Sequence, residues 1–472
     1  MKQNLLRRAA LAVAISTVSS GSMAAGFYLQ ESGTTGLGRA YAAENTIGDN
    51  ASILGRNPAG SALFDSISLS GGFIYVNPEI DAAGTTTYFF PDGTGGLGSA
   101  SIFDTADDYA TDAFVPNGYV AVPLDPCWSL GLAMYTTYGL ETDFDPTWPV
   151  TNIADQTELL TVNIAPSVAY DFNDQFSIGV SVNFVYADAK LNTMVPRDFL
   201  LNPDLSGSKI LDYDDADDWD VSWAIGALWR INDQTRFGIS YHAEIDPKLE
   251  GDVSSDFLPT VALPPALQPA FPPFDNARGD VTLDLPDTLE LGFYHRFDEQ
   301  WGIAAGVMWT DWDDFERLEA FIPSARLGVE DEPFNPLLVK EENFESGFRY
   351  SIAGEYYPCE EVTWRIGYAY DEGAARDGLN QNGITEVEET IGVGLPVTWR
   401  TLSIPDTDRQ WITFGGTYKF DKHLSIDGGF AYLWGDDETV QEFGRLPVPT
   451  YFDGETTNIE AWLIGASVNY TF

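Results

Sequence analysis

The sequence predicts an all-β protein: a transmembrane, antiparallel up-and-down β-barrel of about fourteen strands with an N-terminal segment lodged in its lumen. Three observations predict it. Long stretches alternate strictly between apolar residues and small or polar ones, the mark of a strand with two unlike faces. Short turns and long acidic connections follow one another without exception along the chain. The chain opens with an export leader and closes on Phe472, at the end of an amphipathic strand.

Composition narrows the classes first. The 472 residues include 72 Asp+Glu against 24 Lys+Arg, for a net charge of -48. Phosphate contacts need a basic surface, so a nucleic-acid binder is excluded. With 44% hydrophobic residues the chain can form a packed structure. A mean hydropathy of -0.13 is far too polar for a helical membrane bundle. Two cysteines in such a length exclude a disulfide scaffold. The 44 glycines and 14% aromatics suit strands.

The leader comes next. Lys2, Arg7 and Arg8 precede an apolar stretch from Ala9 to Val18, and Ser22-Met23-Ala24 offers small residues for cleavage after Ala24. Residues 1–24 are therefore read as a signal peptide. The stretch is well short of the ~20 residues that span a bilayer, and no other apolar run reaches that length. Cleavage removes those three cations and no acid, which moves the net charge from -48 to -51. An exported chain of this kind enters a membrane only as strands.

The wall strands carry the clearest pattern. Leu424, Ile426, Phe430, Tyr432 and Trp434 alternate with Ser425, Asp427, Gly429 and Ala431. Trp462, Ile464, Ala466, Val468, Tyr470 and Phe472 share one face of the last segment. The same rule fits Val362 to Tyr370 and Phe176 to Tyr186. Such segments match the ~9–11 residues of a membrane strand, with aromatics at the ends as in interfacial girdles. Short turns fall at Asp125-Pro126-Cys127, Asn173-Asp174-Gln175, Asn232-Asp233-Gln234, Asp298-Glu299-Gln300, Pro358-Cys359-Glu360 and Asp421-Lys422-His423. The acidic loops between them are expected at roughly 77–114, 139–158, 191–218, 250–279, 318–344, 372–406 and 435–457, on the outer side.

Residues 25–65 lack the alternation. They are rich in small residues, which suits close backbone packing inside a lumen, so this segment is expected to be a plug, or hatch, with the barrel proper over 66–472.

Several motifs make the reading specific. Gly26-Phe27, Gly36-Leu37-Gly38-Arg39-Ala40-Tyr41 and Arg56-Asn57-Pro58-Ala59 resemble the start of the FadL family of outer-membrane hydrophobic-compound transporters. Tyr138-Gly139-Leu140, Leu285-Pro286-Asp287, Trp309-Thr310-Asp311-Trp312 and Ile404-Pro405-Asp406, with Asp408-Arg409 and Trp411, extend the likeness over the mature chain. The resemblance implies a fourteen-stranded barrel with an N-terminal hatch, in the bacterial outer membrane. It implies passive uptake of long-chain fatty acids or, in some branches, of aromatic hydrocarbons and alkanes. The route it implies runs from an external apolar groove to an interior pocket and out through an opening in the wall.

A carrier of lipophiles needs apolar surface at its mouth. The resemblance places the groove in two loops. One holds Phe199, Leu200 and Leu201; the other, stiffened by prolines, holds Phe257, Leu258, Leu263, Phe271 and Phe274. It puts the mature N-terminus, Ala25, Gly26 and Phe27, near the interior pocket. Candidates to hold a carboxylate head group are Lys190, Arg197, Arg317 and Arg349, each of which could instead be paired in the lumen. Thr193 and Glu319 stand where a further cation would have suited a carboxylate, so a neutral alkane or aromatic is the alternative substrate. Asn57-Pro58-Ala59 is expected to form a rigid turn, and the resemblance assigns it to the hatch that gates the pore.

Other constellations point to no chemistry. Asp212, Asp214, Asp215, Asp217, Asp218 and Asp220 lack the glycine and terminal Glu of an EF-hand, and read as a solvated acidic loop. His242, His295 and His423 stand in no metal or nucleophile motif, so no enzyme, metal or cofactor is expected. Cys127 and Cys359 fall in separate turns and are not expected to pair. The expected partners are a long-chain fatty acid or other hydrophobic small molecule, with outer-membrane lipid and lipopolysaccharide around a monomeric wall. A general diffusion porin is the less favoured alternative.

Overall fold

The computed structural model describes residues 26–94, 96–199, 201–256, 274–321 and 338–472. The expected leader and Ala25 lie outside these residues. Among them, antiparallel strand segments join into a closed barrel of fourteen strands. In chain order these are β1 (Ser68–Pro91), β2 (Leu97–Ala106 and Ala113–Pro123), β3 (Trp128–Tyr135 and Gly139–Asp143), β4 (Gln156–Asn173) and β5 (Phe176–Met194). Next come β6 (Lys209–Asn232), β7 (Thr235–His242 and Lys248–Ser255), β8 (Phe274–Thr282 and Thr288–Arg296) and β9 (Trp301–Thr310 and Arg317–Phe321). The remainder are β10 (Leu338–Glu341 and Gly347–Cys359), β11 (Val362–Asp371), β12 (Arg409–Lys419), β13 (Leu424–Gly435 and Glu438–Gly444) and β14 (Thr450–Thr471). β1 and β14 close the cylinder, paired from Ser68↔Thr471 to Tyr88↔Thr450.

The alternation in the sequence is the alternation of the wall. Trp364, Ile366, Phe414, Ile464 and Val468 are exposed on the outside, where lipid covers them, while Thr363, Arg365, Thr413, Leu463 and Ser467 between them are buried in the lumen. Aromatic pairs collect beside the short turns, such as Trp128 and Tyr170 at 4.7 Å and Trp301 and Tyr356 at 4.6 Å between ring centroids. Such belts mark the membrane interface.

The strands run farther than expected. β1 and β6 each have 24 residues and β14 has 22, so long parts of the expected loops 77–114, 191–218 and 435–457 are strand. The acidic run Asp212–Asp220 belongs to β6 and is not a loop. Leu211, Tyr213 and Ala216 point inward there and are buried. The outward positions carry Asp because this part of the wall faces water, and that hides the strand pattern. The expected loop 372–406 contains a helix, Gln381–Ile391, capped by Asn380, whose side-chain oxygen accepts from the Gly383 N–H, and by Gly392 at φ +79°. Cys127 and Cys359 are both exposed and free.

Residues 26–65 lie inside the barrel. The chain passes around the inner wall and meets it where the strands carry glycine. Gly238, Gly292 and Gly306 on β7, β8 and β9 stand in register and face Ala43 to Thr46. At Gly226 on β6 the approach is closest: a Cβ there would lie 2.0 Å from the Asn57 side-chain oxygen. One charge cluster built on two arginines fixes the segment further. Arg39 bonds Glu44 at 2.6 Å, Glu355 of β10 at 3.0 Å, and Asp49. Arg365 of β11 bonds Asp49 and Glu355, each at 3.2 Å. Both arginines are almost fully buried, so each depends on those carboxylates.

Removing one partner of such a set leaves a buried charge uncompensated, at a cost of about 3–5 kcal/mol. Glu355→Ala is expected to speed amide hydrogen exchange across residues 34–60 while the wall strands stay protected. Mass spectrometry of the folded protein checks this.

Candidate functional site

Several wall strands break at one level. The ladder is interrupted at 136–138 in β3, 243–247 in β7, 283–287 in β8, 311–316 in β9 and 342–346 in β10. The breaks turn bulky side chains inward, and Tyr138, Ile245, Leu285, Trp312, Phe315 and Phe344 are all buried in one apolar cluster. Phe27 sits at its centre. Its ring lies 4.7 Å from Trp312, 5.2 Å from Phe315 and 6.2 Å from Tyr138, all edge to face. Edge-to-face pairs add about 0.5–1.5 kcal/mol each beyond area burial.

The backbone of the same stretch is held in two ways. The Gly26 N–H donates to Asp406 at 3.0 Å, and Asp406 also accepts from the Ala375 N–H at 2.7 Å and from Arg409. Gly26 has φ +59°, and a Cβ on it would lie 2.7 Å from the Trp312 ring. Residues 27–29 then add to β3 as a short extra strand. The Leu29 N–H donates to Thr137 O at 2.7 Å, and the Gly139 N–H donates to Phe27 O at 3.1 Å. Arg56 ties this stretch to the rest of the inner segment by donating to Gln30 O and Ser32 Oγ, each at 3.0 Å.

These bonds fall beside a gap. The β2–β3 ladder runs only from Gly118↔Met134 to Pro123↔Ser129, with one isolated bridge above it at Ala110↔Thr142. Between the two, residues 113–117 pair with β1 on one side and have no ladder partner in β3. The edge that β3 turns away from β2 is the stretch that Phe27 to Leu29 occupies.

Outward of Phe27 lies a cavity of about 50 Å³. Phe27, Leu140, Leu159, Leu191, Phe315 and Ile404 supply its apolar lining, with Thr157, Glu158, Lys190 and Tyr213 as the polar groups. The stretch 144–155 packs in a separate apolar cluster, with Phe144 stacked on Tyr109 at 4.3 Å and on Trp148 at 4.6 Å. Asp155 ends that stretch. Burial and then the charge of Asp143 push its carboxyl up to about 7, against the pull of Lys190.

The expected site residues divide sharply. Gly26 and Phe27 reach the interior cluster, and Lys190 lines the cavity. Arg197 and Arg317 are exposed near the mouth and do not line the cavity. Arg349 is buried against the inner segment, donating to Ala40 O at 3.0 Å, with Asp371 3.9 Å from its Nε. Phe199 is only 3% exposed and packs on Tyr88 at 5.3 Å, with Leu201 half-buried beside it, so Phe199 is not an open groove wall. Leu200, Phe257, Leu258, Leu263 and Phe271 lie outside the described residues, as does the side chain of Phe274. Asn57-Pro58-Ala59 forms the expected turn: Asn57 accepts from the Ala59 N–H at 2.9 Å and donates to Asn45 O at 2.8 Å. The roles of Trp312, Phe315, Asp406 and Arg56 were not foreseen. Their signal was the loss of alternation at the breaks, on the motifs that carry the family likeness.

Comparison with known proteins agrees with this geometry. The family model described as "Outer membrane protein transport protein (OMPP1/FadL/TodX)" matches residues 15–390 and 394–472. The chain belongs to this family. It is therefore an outer-membrane protein of a transport family. A relative named "Long-chain fatty acid transport protein" from Salmonella typhi is 30% identical, aligned over 100% of both chains. The Haemophilus influenzae "Outer membrane protein P1" is 27% identical over 98% of each chain. Among solved structures, a Pseudomonas aeruginosa FadL homologue superposes with a TM-score of 0.77 at 21% identity, covering 95% of this chain and 100% of that one. The Pseudomonas putida toluene transporter TodX gives 0.60 at 15% identity, covering 95% and 100%. At these identities the structures show a common fold.

Gly26→Ala is expected to unseat the N-terminal stretch, because an Ala at this φ costs about 1–2 kcal/mol and its methyl meets Trp312. Amide exchange at residues 27–32 should accelerate while residues 34–60 keep their protection.

Proposed function

We propose that this protein carries hydrophobic small molecules, long-chain fatty acids or lipophiles of similar size, passively across the outer membrane. The observation that supports this reading best is Phe27. It belongs to the inner segment and not to the wall, it closes one side of the apolar cavity, and its backbone covers the unpaired edge of β3. A cavity of about 50 Å³ is far below the ~300–1,000 Å³ of ligand pockets. An arriving chain must therefore displace a lining group, and Phe27 is the lining residue that belongs to the inner segment. Its departure frees the β3 edge beside residues 113–117, so filling the pocket and opening the wall become one event. The names of the relatives, a fatty acid transporter and a toluene transporter, support a lipophilic cargo.

On this reading residues 25–65 are the hatch and 66–472 the barrel domain. Asn57-Pro58-Ala59 is its fixed end, pressed against Gly179 and Gly226, and the moving end is Gly26 to Leu29. A carrier is favoured over an enzyme because the three histidines bond structural groups: His242 with Arg56 O, His295 with Thr235 and His423 with Thr471 O. The filled lumen favours a carrier over a general porin.

Tyr28 and Tyr138 form an antiparallel bridge, and such pairs have the Cα spacing of about 4.5–5.5 Å that a disulfide accepts. In a background with Cys127 and Cys359 replaced by Ser, the pair Tyr28→Cys and Tyr138→Cys tethers the moving end. Uptake of labelled oleate into cells is expected to fall about tenfold on oxidation and to recover on reduction. Equal uptake in both states overturns the reading.

A further inference from the structure

We propose that residues 401–407 form a proton-controlled strap over the seat of Phe27, held shut by Lys340, Glu342 and Glu442 and loosened when Glu342 loses its proton. This names a regulation of the gate proposed above and rests on that reading. The strap meets the seat at two points. Ile404 lines the cavity beside Phe27, and Asp406 accepts from the Gly26 N–H at 3.0 Å. Three successive strap residues before them are tied to β10 and β13. The Thr401 hydroxyl donates to Glu342 at 3.4 Å, the Leu402 N–H donates to Glu442 at 3.1 Å, and Lys340 donates to Ser403 Oγ. Thr142 of β3 holds the same point from the other side, donating to Ser403 O at 3.2 Å.

The three ionisable side chains point into the lumen. Lys340 stands opposite Leu318 in the β9–β10 ladder, and Leu318 belongs to the apolar cluster around Phe27. Residues so placed share a face. Glu342 follows two residues later, in the break of β10, and is 1% exposed. Glu442 stands opposite the buried Phe452 in the β13–β14 ladder, with its carboxylate 3.8 Å from the Lys340 ammonium. One ammonium thus serves two carboxyl groups.

Lys340 and Glu442 neutralise each other, so a second carboxyl in this dry place keeps its proton. Burial pushes Glu342 up to about 8 against the pull of Lys340, and the charge of Glu442 adds to the rise. Burial raises Glu442 as well, opposed by Lys340 and by the Leu402 N–H. Tyr109, between the two segments of β2, also faces Glu442; burial pushes its phenol up, and it stays neutral. Farther along the strap, Asp406 pairs with Arg409, and Arg400 pairs with Asp377 and Glu438, so these charges are met locally. A glutamic acid released to water gives up its proton near the ordinary ~4.3. The closed strap therefore holds a proton that the released strap does not. Closure is firmest in acid, weakens about tenfold per pH unit as the pH rises from about 5 toward 8, and levels off above that. Release of the strap takes Ile404 and Asp406 away from the Phe27 seat, so cargo displaces Phe27 more easily in a neutral or alkaline medium than in an acid one.

Amide hydrogen exchange of the full protein in lipid nanodiscs tests this, with each rate divided by its intrinsic rate at the same pH. From pH 6 to pH 8 the protection of residues 401–407 and of residues 27–29 should fall at least about tenfold, while residues 39–59 keep theirs. Glu342→Gln keeps the shape and cannot ionise, so its protection should stay within about twofold over the same range. Glu442→Gln leaves Glu342 as the counter-ion of Lys340, which lowers the pH at which it ionises, and the fall between pH 6 and pH 8 should be lost there too. Equal protection of the wild type at the two pH values, or the wild-type fall retained in either variant, overturns the proposal. A fall at 401–407 with none at 27–29 overturns it as well, because the strap is then uncoupled from the gate. No cargo enters this measurement, so its outcome stands apart from that of the tethered uptake assay, whose failure overturns the transport reading alone.

Discussion

The constraint on which this molecule depends is that no backbone polar group at lipid depth can remain unpaired. Closure between β1 and β14 meets it around the circumference, and everything distinctive follows from the place where it is not met by the wall alone. β3 leaves β2 above Gly118 and Met134. The freed edge of β3 is supplied with hydrogen bonds by Phe27 to Leu29, a stretch that reaches it from inside. The integrity of the wall at that point is thus a property of the inner segment, and anything that competes for the seat of Phe27 competes with the wall as well.

The inner segment is accordingly made of two mechanically different parts. From Arg39 to Ala59 it is locked by contacts that tolerate no change: buried arginines with named carboxylates, and hatch backbone packed on glycines where a side chain does not fit. From Gly26 to Leu29 it is held by an apolar nest and by a few backbone bonds, one of them to Asp406. Edge-to-face ring contacts are individually modest and can be replaced by contacts with another apolar chain. A buried arginine cannot exchange its partners so readily. The difference between the two parts is therefore a difference between ionic and apolar cohesion.

Much of this was legible in the sequence, for a physical reason. Within the bilayer the outside of each strand must be apolar, so Phe176 to Tyr186, Val362 to Tyr370 and Trp462 to Phe472 announce themselves by period two. Above the bilayer the same outward positions meet water, and β6 carries Asp there, which made Asp212 to Asp220 read as loop. The helix Gln381–Ile391 had its caps in the sequence, Asn380 and Gly392, but only Val387 and Ile391 are buried, too thin a stripe to show. The site was half visible. Tyr138, Leu285, Trp312 and Asp406 stood in motifs that carried the family likeness, yet only folding brings them around Phe27. The standing of each cation was hidden because its neutralising partner comes from another strand: Asp214 for Lys190 and Asp371 for Arg349.

The length of the strands has a consequence for where cargo is first met. A strand of 24 residues extends roughly 80 Å at ~3.3 Å per residue, and with the usual tilt stands roughly 60 Å tall, against an apolar band of about 25 Å. More than half of β1 therefore rises clear of the hydrocarbon, and the mouth of the barrel is a tower above the bilayer. On the transport reading proposed above, a lipophile is taken from the water before it reaches the lipid, and descends through protein past the charged headgroup zone it would otherwise have to cross unaided.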